Sequence, residues 1–250
     1  MAGSYRFVLG LAAAGGELSV AAGHWLWQHT ARSGRIERHL HRLERSGLLQ
    51  NTGRLAARVL RLTAEGRLHA AAGVDPETQW NRQWDGAWRL VLFDIPETQR
   101  ALRLRLRRRL HEFRFGYLQD SVWISPDPVD AFRARVGETG VAPDSLAYLK
   151  ANPDGGENTE ALVAASWDFA ALGRRYTDYR AILRLRPSRL TATTESWIHW
   201  LEREHRAWRQ IALRDPFLPG ALLPKAYVGR TAWKERLAAL AEFRQRLPKS

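Results

Sequence analysis

The run Trp88-Arg89-Leu90-Val91-Leu92-Phe93-Asp94-Ile95, followed at once by Pro96, constrains this chain more than any other stretch. Apolar, β-branched and aromatic residues in so short a segment make a buried strand, and Pro96, with no N–H to give to a ladder, ends it. Pro96-Glu97-Thr98 then opens a helix. From Glu97 to Arg114 the residues Leu102, Leu106, Leu110 and Phe113 recur at helical spacing. Ala101 to Leu106 taken alone also alternates like a strand, but the length of the segment and its entry favour a helix. Gly116 breaks the pattern, and Tyr117 to Ser125 supplies one or two more strands. Ser125-Pro126-Asp127-Pro128 precedes a second helix, and a last strand is expected near Leu146 to Leu149, before a loop that runs on to Thr159.

The resulting order, β-α-β-β-α-β, is a ferredoxin-like plan. The expected fold class is α+β: an N-terminal winged helix-turn-helix over 1–75, a linker over 76–87, a central ferredoxin-like domain over 88–155 and an all-α C-terminal domain over 156–250. A chain of 250 residues suffices for two or three modest domains. It has no cysteine, which excludes disulfides, thiolate-bound zinc and thiol catalysis and fits a cytoplasmic location. No apolar run is long enough to span a bilayer, so no membrane association is expected. The formal net charge of +13, carried almost wholly by Arg, points to a polyanionic partner.

The N-terminal pattern says which polyanion. Ser4 to Ala14 reads as one helix, Ser19 caps a second through Gln28, and Ser33 caps a third whose residues Ile36, Leu40 and Leu43 form an apolar stripe. The opposite side of that third helix carries Arg35, Arg38, Arg42 and Arg45, with His39 and His41 at its flanks. Gly47-Leu48-Leu49 leads into a hairpin with its tip at Asn51-Thr52-Gly53-Arg54, and the return strand, Ala57 to Leu62, ends in Leu62-Thr63-Ala64-Glu65-Gly66-Arg67. Between Thr30 and Arg67 there are nine Arg and three Glu. This surface suits double-stranded DNA: Ser33 at the helix start, Arg35, Arg38 and His39 toward base edges, Arg42 and Arg45 on phosphates, and Arg54 and Arg58 on the wing against the backbone or minor groove. The central helix holds seven Arg between Gln99 and Arg114 and has three readings: a second DNA surface, a dimer rim, or a face that is solvated or paired with acidic neighbours.

Toward the C-terminus, Trp167-Asp168-Phe169 opens a helix, and Thr193 or Thr194 caps a long one to about Arg214. Trp197, Trp200, Leu201, Trp208 and Ile211 lie on one stripe of it with Glu204 in their midst, so Glu204 is expected to be buried against an Arg or a hydrogen-bond donor. The proline-rich connector Arg214 to Pro224 and a last amphipathic helix to Leu247 follow. For catalysis the one residue the sequence offers is Asp94 at a strand end, which as a structural residue would cap the turn at Pro96 or pair with an Arg. His199, Glu202 and His205 have helical spacing but no fourth ligand beside them, and there is no phosphate-cradling loop or nucleophile elbow; no catalytic residue, metal or cofactor is expected under the main reading.

Two family resemblances rest on these motifs. A first strand ending in Asp94, with Gln119, Ser121, Val122 and Trp123 further on, resembles the CRISPR-associated ferredoxin-like nuclease family. The segment Phe93-Asp94-Ile95-Pro96-Glu97, with Trp167-Asp168, Leu172 and Tyr176, then Trp208-Arg209, Arg214-Asp215-Pro216 with Leu218-Pro219, Leu222-Leu223-Pro224 and Gly229-Arg230, resembles PaaX-type regulators, which repress phenylacetate catabolism. That second resemblance implies a homodimeric repressor released from DNA by an aryl-acetyl-CoA thioester such as phenylacetyl-CoA; the alternative is a Mg²⁺-dependent nuclease using Asp94.

Overall fold

The computed structural model describes residues 8, 10–12, 16–30, 36–52, 59–152, 158–188 and 193–245. It is a mixed α+β structure with two small sheets. The chain divides into two compact units: Met1–Asp75, Arg175–Ala212 and Val228–Ser250 form the first, and Pro76–Arg174 with Leu213–Tyr227 the second. The stretch 156–250 expected as one C-terminal domain is divided between the units: the part up to Arg174 and Leu213–Tyr227 fall in the second, Arg175–Ala212 and Val228–Ser250 in the first.

In the first unit, β1 (Glu17–Ser19), β2 (Leu49–Thr52) and β3 (Val59–Leu62) make an antiparallel sheet in the order β1-β3-β2. The helices α1 (Val20–Thr30) and α2 (Ile36–Arg45) lie between β1 and β2 in the chain. Sequence patterning gives no sign of β1: three residues are too few to show alternation, and the strand exists through its pairing of Leu18 with Leu60. Leu60 and Leu62 of β3 are buried, and Arg61 between them pairs at the surface with Glu17 at 2.8 Å.

A compact junction follows. Gly47 takes φ +71° just past α2, and the Leu48 N–H donates to the Leu43 carbonyl at 3.0 Å, a left-handed helix stop that a glycine adopts without strain. Thr63 caps α3 (Ala64–Ala70) as expected: its hydroxyl accepts from the Gly66 N–H at 2.9 Å and donates to the Gly47 carbonyl at 2.6 Å. A Cβ on Gly66 would fall 2.0 Å from the Leu48 carbonyl oxygen, so only glycine lets α3 approach the start of the hairpin. Because the obstacle is backbone, Gly66→Ala is expected to destabilise the protein by about 1–3 kcal/mol, measured by urea unfolding.

The second unit opens with α4 (Pro76–Asn81), inside the stretch expected as linker; Pro76 is a favoured first helical residue. Trp80 anchors it, being buried and donating to the Tyr227 hydroxyl at 3.1 Å. Then come β4 (Trp88–Phe93), α5 (Arg100–Glu112), β5 (Gly116–Gln119), β6 (Val122–Ser125), α6 (Asp130–Val136) and β7 (Leu146–Ala151), with an antiparallel sheet ordered β5-β6-β4-β7. Val91 and Phe93 point into a core with Leu106, Leu110 and Phe132, whereas Trp88 and Leu90 point into a second core with Ile124, Val163 and Leu218. With both faces covered, β4 reads as a continuous apolar run and not as alternation.

The helix α7 (Thr159–Ser166) crosses close to β5, where a Cβ on Gly116 would meet Trp167 at 2.6 Å. The connector is held by Asp215, fully buried, whose carboxylate accepts from the Phe217 N–H at 2.7 Å and the Tyr227 hydroxyl at 2.6 Å. The remaining helices are α8 (Phe169–Arg184), α9 (Thr194–Ala212) and α10 (Gly229–Arg244). In the first unit, bidentate pairs of Arg180 with Glu235 and Arg186 with Glu242 tie α8 and the turn after it to α10. Among the described residues no helix is long and apolar enough to cross a membrane.

Candidate nucleic-acid interface

The basic residues fall into two groups with different fates. On α2, Arg38, Arg42 and Arg45 are exposed and recur at i, i+4 and i+7, which puts them on one face of the helix. Leu43 on the other face is buried and Leu40 is half-buried. Among the described residues none of the three arginines has an ion pair with a carboxylate; the acidic Glu44 faces His41 instead, at 3.3 Å. Arg42 and Arg45 also sit in the last turn, where the helix dipole favours cations. The three heads are therefore available to a chain of phosphates. Of the other expected contacts, Ser33, Arg35, Arg54 and Arg58 lie outside the described residues, and so does the side chain of His39.

Four of the arginines of α5 are engaged inside their own unit. Arg103 pairs with Glu97, Arg109 with Glu112 at 2.9 Å and Glu138 at 2.6 Å, and Arg105 and Arg107 donate to the Thr139 and Asp120 carbonyls. Of the three readings of this helix, pairing with acidic neighbours is realised for Arg103 and Arg109. Asp85 is likewise tied: two hydrogen bonds from Arg89 at 2.6 Å, with Lys150 at 3.3 Å, hold its carboxyl well below the usual carboxylate range. Arg89 and Lys150 face each other across the β4–β7 ladder, so the trio staples that edge.

Asp94 stands exposed just past β4, its backbone N–H bonded to the Ser145 carbonyl at 3.0 Å. Among the described residues its carboxylate caps nothing and pairs with no Arg, so neither structural role expected for it is realised. No group of three or more potential ligands for a metal ion occurs among the described residues, and His199, Glu202 and His205 do not gather into one: His199 is at the surface, 4.0 Å from Glu202, while His205 is buried.

The buried charges of the first unit form a second constellation. Glu204, 1% exposed, accepts from Arg236 Nε at 2.7 Å and from the Tyr179 hydroxyl at 2.5 Å, the kind of partners its place in the apolar stripe requires. Arg236 lies 5.3 Å and 5.1 Å from the ring centres of Trp208 and Trp233. Burial opposes the charge on Arg236, but Glu204 outweighs it and the pKa rises; burial and the neighbouring carboxylate push Tyr179 well up. Sequence reasoning left Arg236 unnamed. Its signal was present: Ala232, Arg236, Ala239 and Phe243 recur at helical spacing on the buried side of α10, where an arginine needs an acid.

Burial, then Arg236, Arg209 and His69, lower the pKa of His205 to about 3, so the imidazole is neutral at physiological pH. The unfolded chain takes up a proton near pH 6.5 while the folded chain does not. Stability is therefore expected to fall as the pH drops from about 6.5 toward 3, with a limiting slope of about 1.4 kcal/mol per pH unit from this group. Comparing urea midpoints of the wild type and His205→Leu between pH 7 and 5 reads the effect; equal slopes in the two would remove it.

Residues 81–163 match the PaaX protein central Cas2-like domain, and residues 167–246 match the PaaX-like protein C-terminal domain. Among solved structures, the uncharacterized protein Rv0674 from Mycobacterium tuberculosis is similar in fold, with a TM-score of 0.52 and 23% identity over 87% of each chain. No curated protein matches the chain.

Proposed function

The chain belongs to the PaaX family, whose central and C-terminal domains it carries at residues 81–163 and 167–246, and on that premise we propose that it is a DNA-binding transcriptional regulator of aromatic-acid catabolism. The observation that carries the DNA reading is the face of α2 with Arg38, Arg42 and Arg45 exposed and no carboxylate paired to them among the described residues. This helix follows α1 and precedes the β2–β3 hairpin, and β1 completes a sheet ordered β1-β3-β2. The arrangement supports a winged helix-turn-helix with α2 as the helix that enters the major groove. The order β5-β6-β4-β7 supports a ferredoxin-like centre. In this reading the protein works in the cytoplasm as a homodimeric repressor, and an aryl-acetyl-CoA thioester releases it by binding more tightly to a conformation that does not hold DNA.

The test is a titration of purified protein into labelled duplex from its own upstream region, with Mg²⁺ and nonspecific competitor present, scored for both retardation and cutting. A salt-sensitive, site-specific shift of intact DNA is expected, and absence of any shift would overturn the reading. One observation favours a second reading: Asp94 is exposed and unpaired at a strand end within the Cas2-like domain. Cutting that needs Mg²⁺ and vanishes in Asp94→Ala would establish a nuclease in place of the regulator.

A further inference from the structure

A cavity of about 190 Å³ lies within the first unit among α3, α9 and α10. Leu201, Leu237 and Leu240 form its apolar wall, and Ala70 narrows the side toward α3. An apolar cavity of ~150 Å³ accepts benzene, so this one takes a single ring or a branched alkyl group with a small substituent. It is far too small for a nucleotide-bearing ligand.

The polar groups at the same cavity decide the charge of the occupant. Glu204 and Arg236 reach it as a closed pair and cancel. His205, also on its surface, is neutral, and the guanidinium groups of Arg236 and Arg209 act on that imidazole. Arg67 at the edge is exposed and spends one donor, Nη1, on the Leu62 carbonyl at 2.8 Å. Among the described residues no carboxylate pairs with Arg67. The balance is one uncompensated guanidinium beside an apolar wall. A cation would be repelled there, and a neutral molecule would leave the guanidinium unused.

We propose that this cavity binds a small apolar monocarboxylate, with its ring or branched chain against Leu201, Leu237 and Leu240 and its carboxylate on Arg67. The proposal does not rest on the DNA reading. It assigns a ligand site to residues of α3 on one side and of α9 and α10 on the other, so an occupant touches all three helices at once.

Isothermal titration of the full chain at neutral pH tests it, with benzoate as probe and benzyl alcohol as the uncharged ring of similar size. Saturable benzoate binding is expected, weakened about tenfold or more in Arg67→Gln, while the weaker binding of benzyl alcohol is unchanged by that substitution. Leu237→Trp fills the cavity and abolishes benzoate binding; because Leu237 is 43% exposed the larger side chain has room to lean outward, and an unchanged thermal midpoint verifies the fold. Arg67→Gln keeps the test decisive should Leu237→Trp unfold. No heat at millimolar benzoate, benzyl alcohol binding as tightly as benzoate, or benzoate affinity that survives both substitutions would each overturn the proposal.

Discussion

Arg236→Met is expected to lower the stability of the protein by about 3–5 kcal/mol, more than removal of any surface charge. The substitution strips Glu204 of its only cationic partner among the described residues and leaves a carboxylate that is 1% exposed held by the Tyr179 hydroxyl alone. It also removes the guanidinium from beside the Trp208 and Trp233 rings, each contact contributing about 0.5–2 kcal/mol. A different outcome is expected when both charges go. In Glu204→Leu/Arg236→Met nothing charged is left buried, and the cost should shrink to within about 1–2 kcal/mol of the wild type, or reverse sign. The pair is then worth little as net stability, and its effect lies in fixing how α8, α9 and α10 meet. Urea unfolding of the two single variants and the double variant closes the cycle. A single-variant loss below about 1 kcal/mol would mean that Glu204 finds water or a proton, and that the interior here is not dry.

How far the sequence speaks for itself depends on where the deciding contacts lie. The strand β4 and the helix α5 are legible because the apolar run and the Pro96 stop are local. Thr63 as the cap of α3 is legible for the same reason. Glu204 shows that even a tertiary fact can be anticipated, since a carboxylate in an apolar stripe must find a donor, but nothing local says that the donor comes from Arg236. The strand β1 is invisible: its three residues owe their conformation to a ladder with β3, far along the chain. The helix α4 is missed because Pro76 and the polar residues around it suit a connector equally well, and only the burial of Trp80 settles the matter. Arginine-rich composition leaves α5 open, because clustering alone does not distinguish a free cationic face from one that pairs with Glu97, Glu112 and Glu138. On α2 the sequence pattern already sets Arg38, Arg42 and Arg45 opposite the apolar stripe, and the structure adds that they are exposed with no carboxylate paired to them among the described residues.

That contrast sets the second large effect. The triple variant Arg38→Ala/Arg42→Ala/Arg45→Ala is expected to lose site-specific retardation of the upstream duplex and to lower the slope of log affinity against log salt by about 3, near one unit for each phosphate contact given up. Loss of folding does not explain such a result, because the three side chains are exposed and alanine is the better helix former. Far-ultraviolet circular dichroism should be unchanged. Arg107→Ala is the contrasting case: it removes a charge from a helix on which Arg103, Arg105, Arg107 and Arg109 are engaged with Glu97, Glu112, Glu138 and the Thr139 and Asp120 carbonyls, so it should weaken general binding slightly and leave site discrimination intact. Equal losses from the triple variant and from Arg107→Ala would mean that net charge, and not the α2 face, holds the DNA. A triple variant that still discriminates its site would move recognition off this helix altogether, to the residues before Ile36 or to the hairpin tip between Thr52 and Val59.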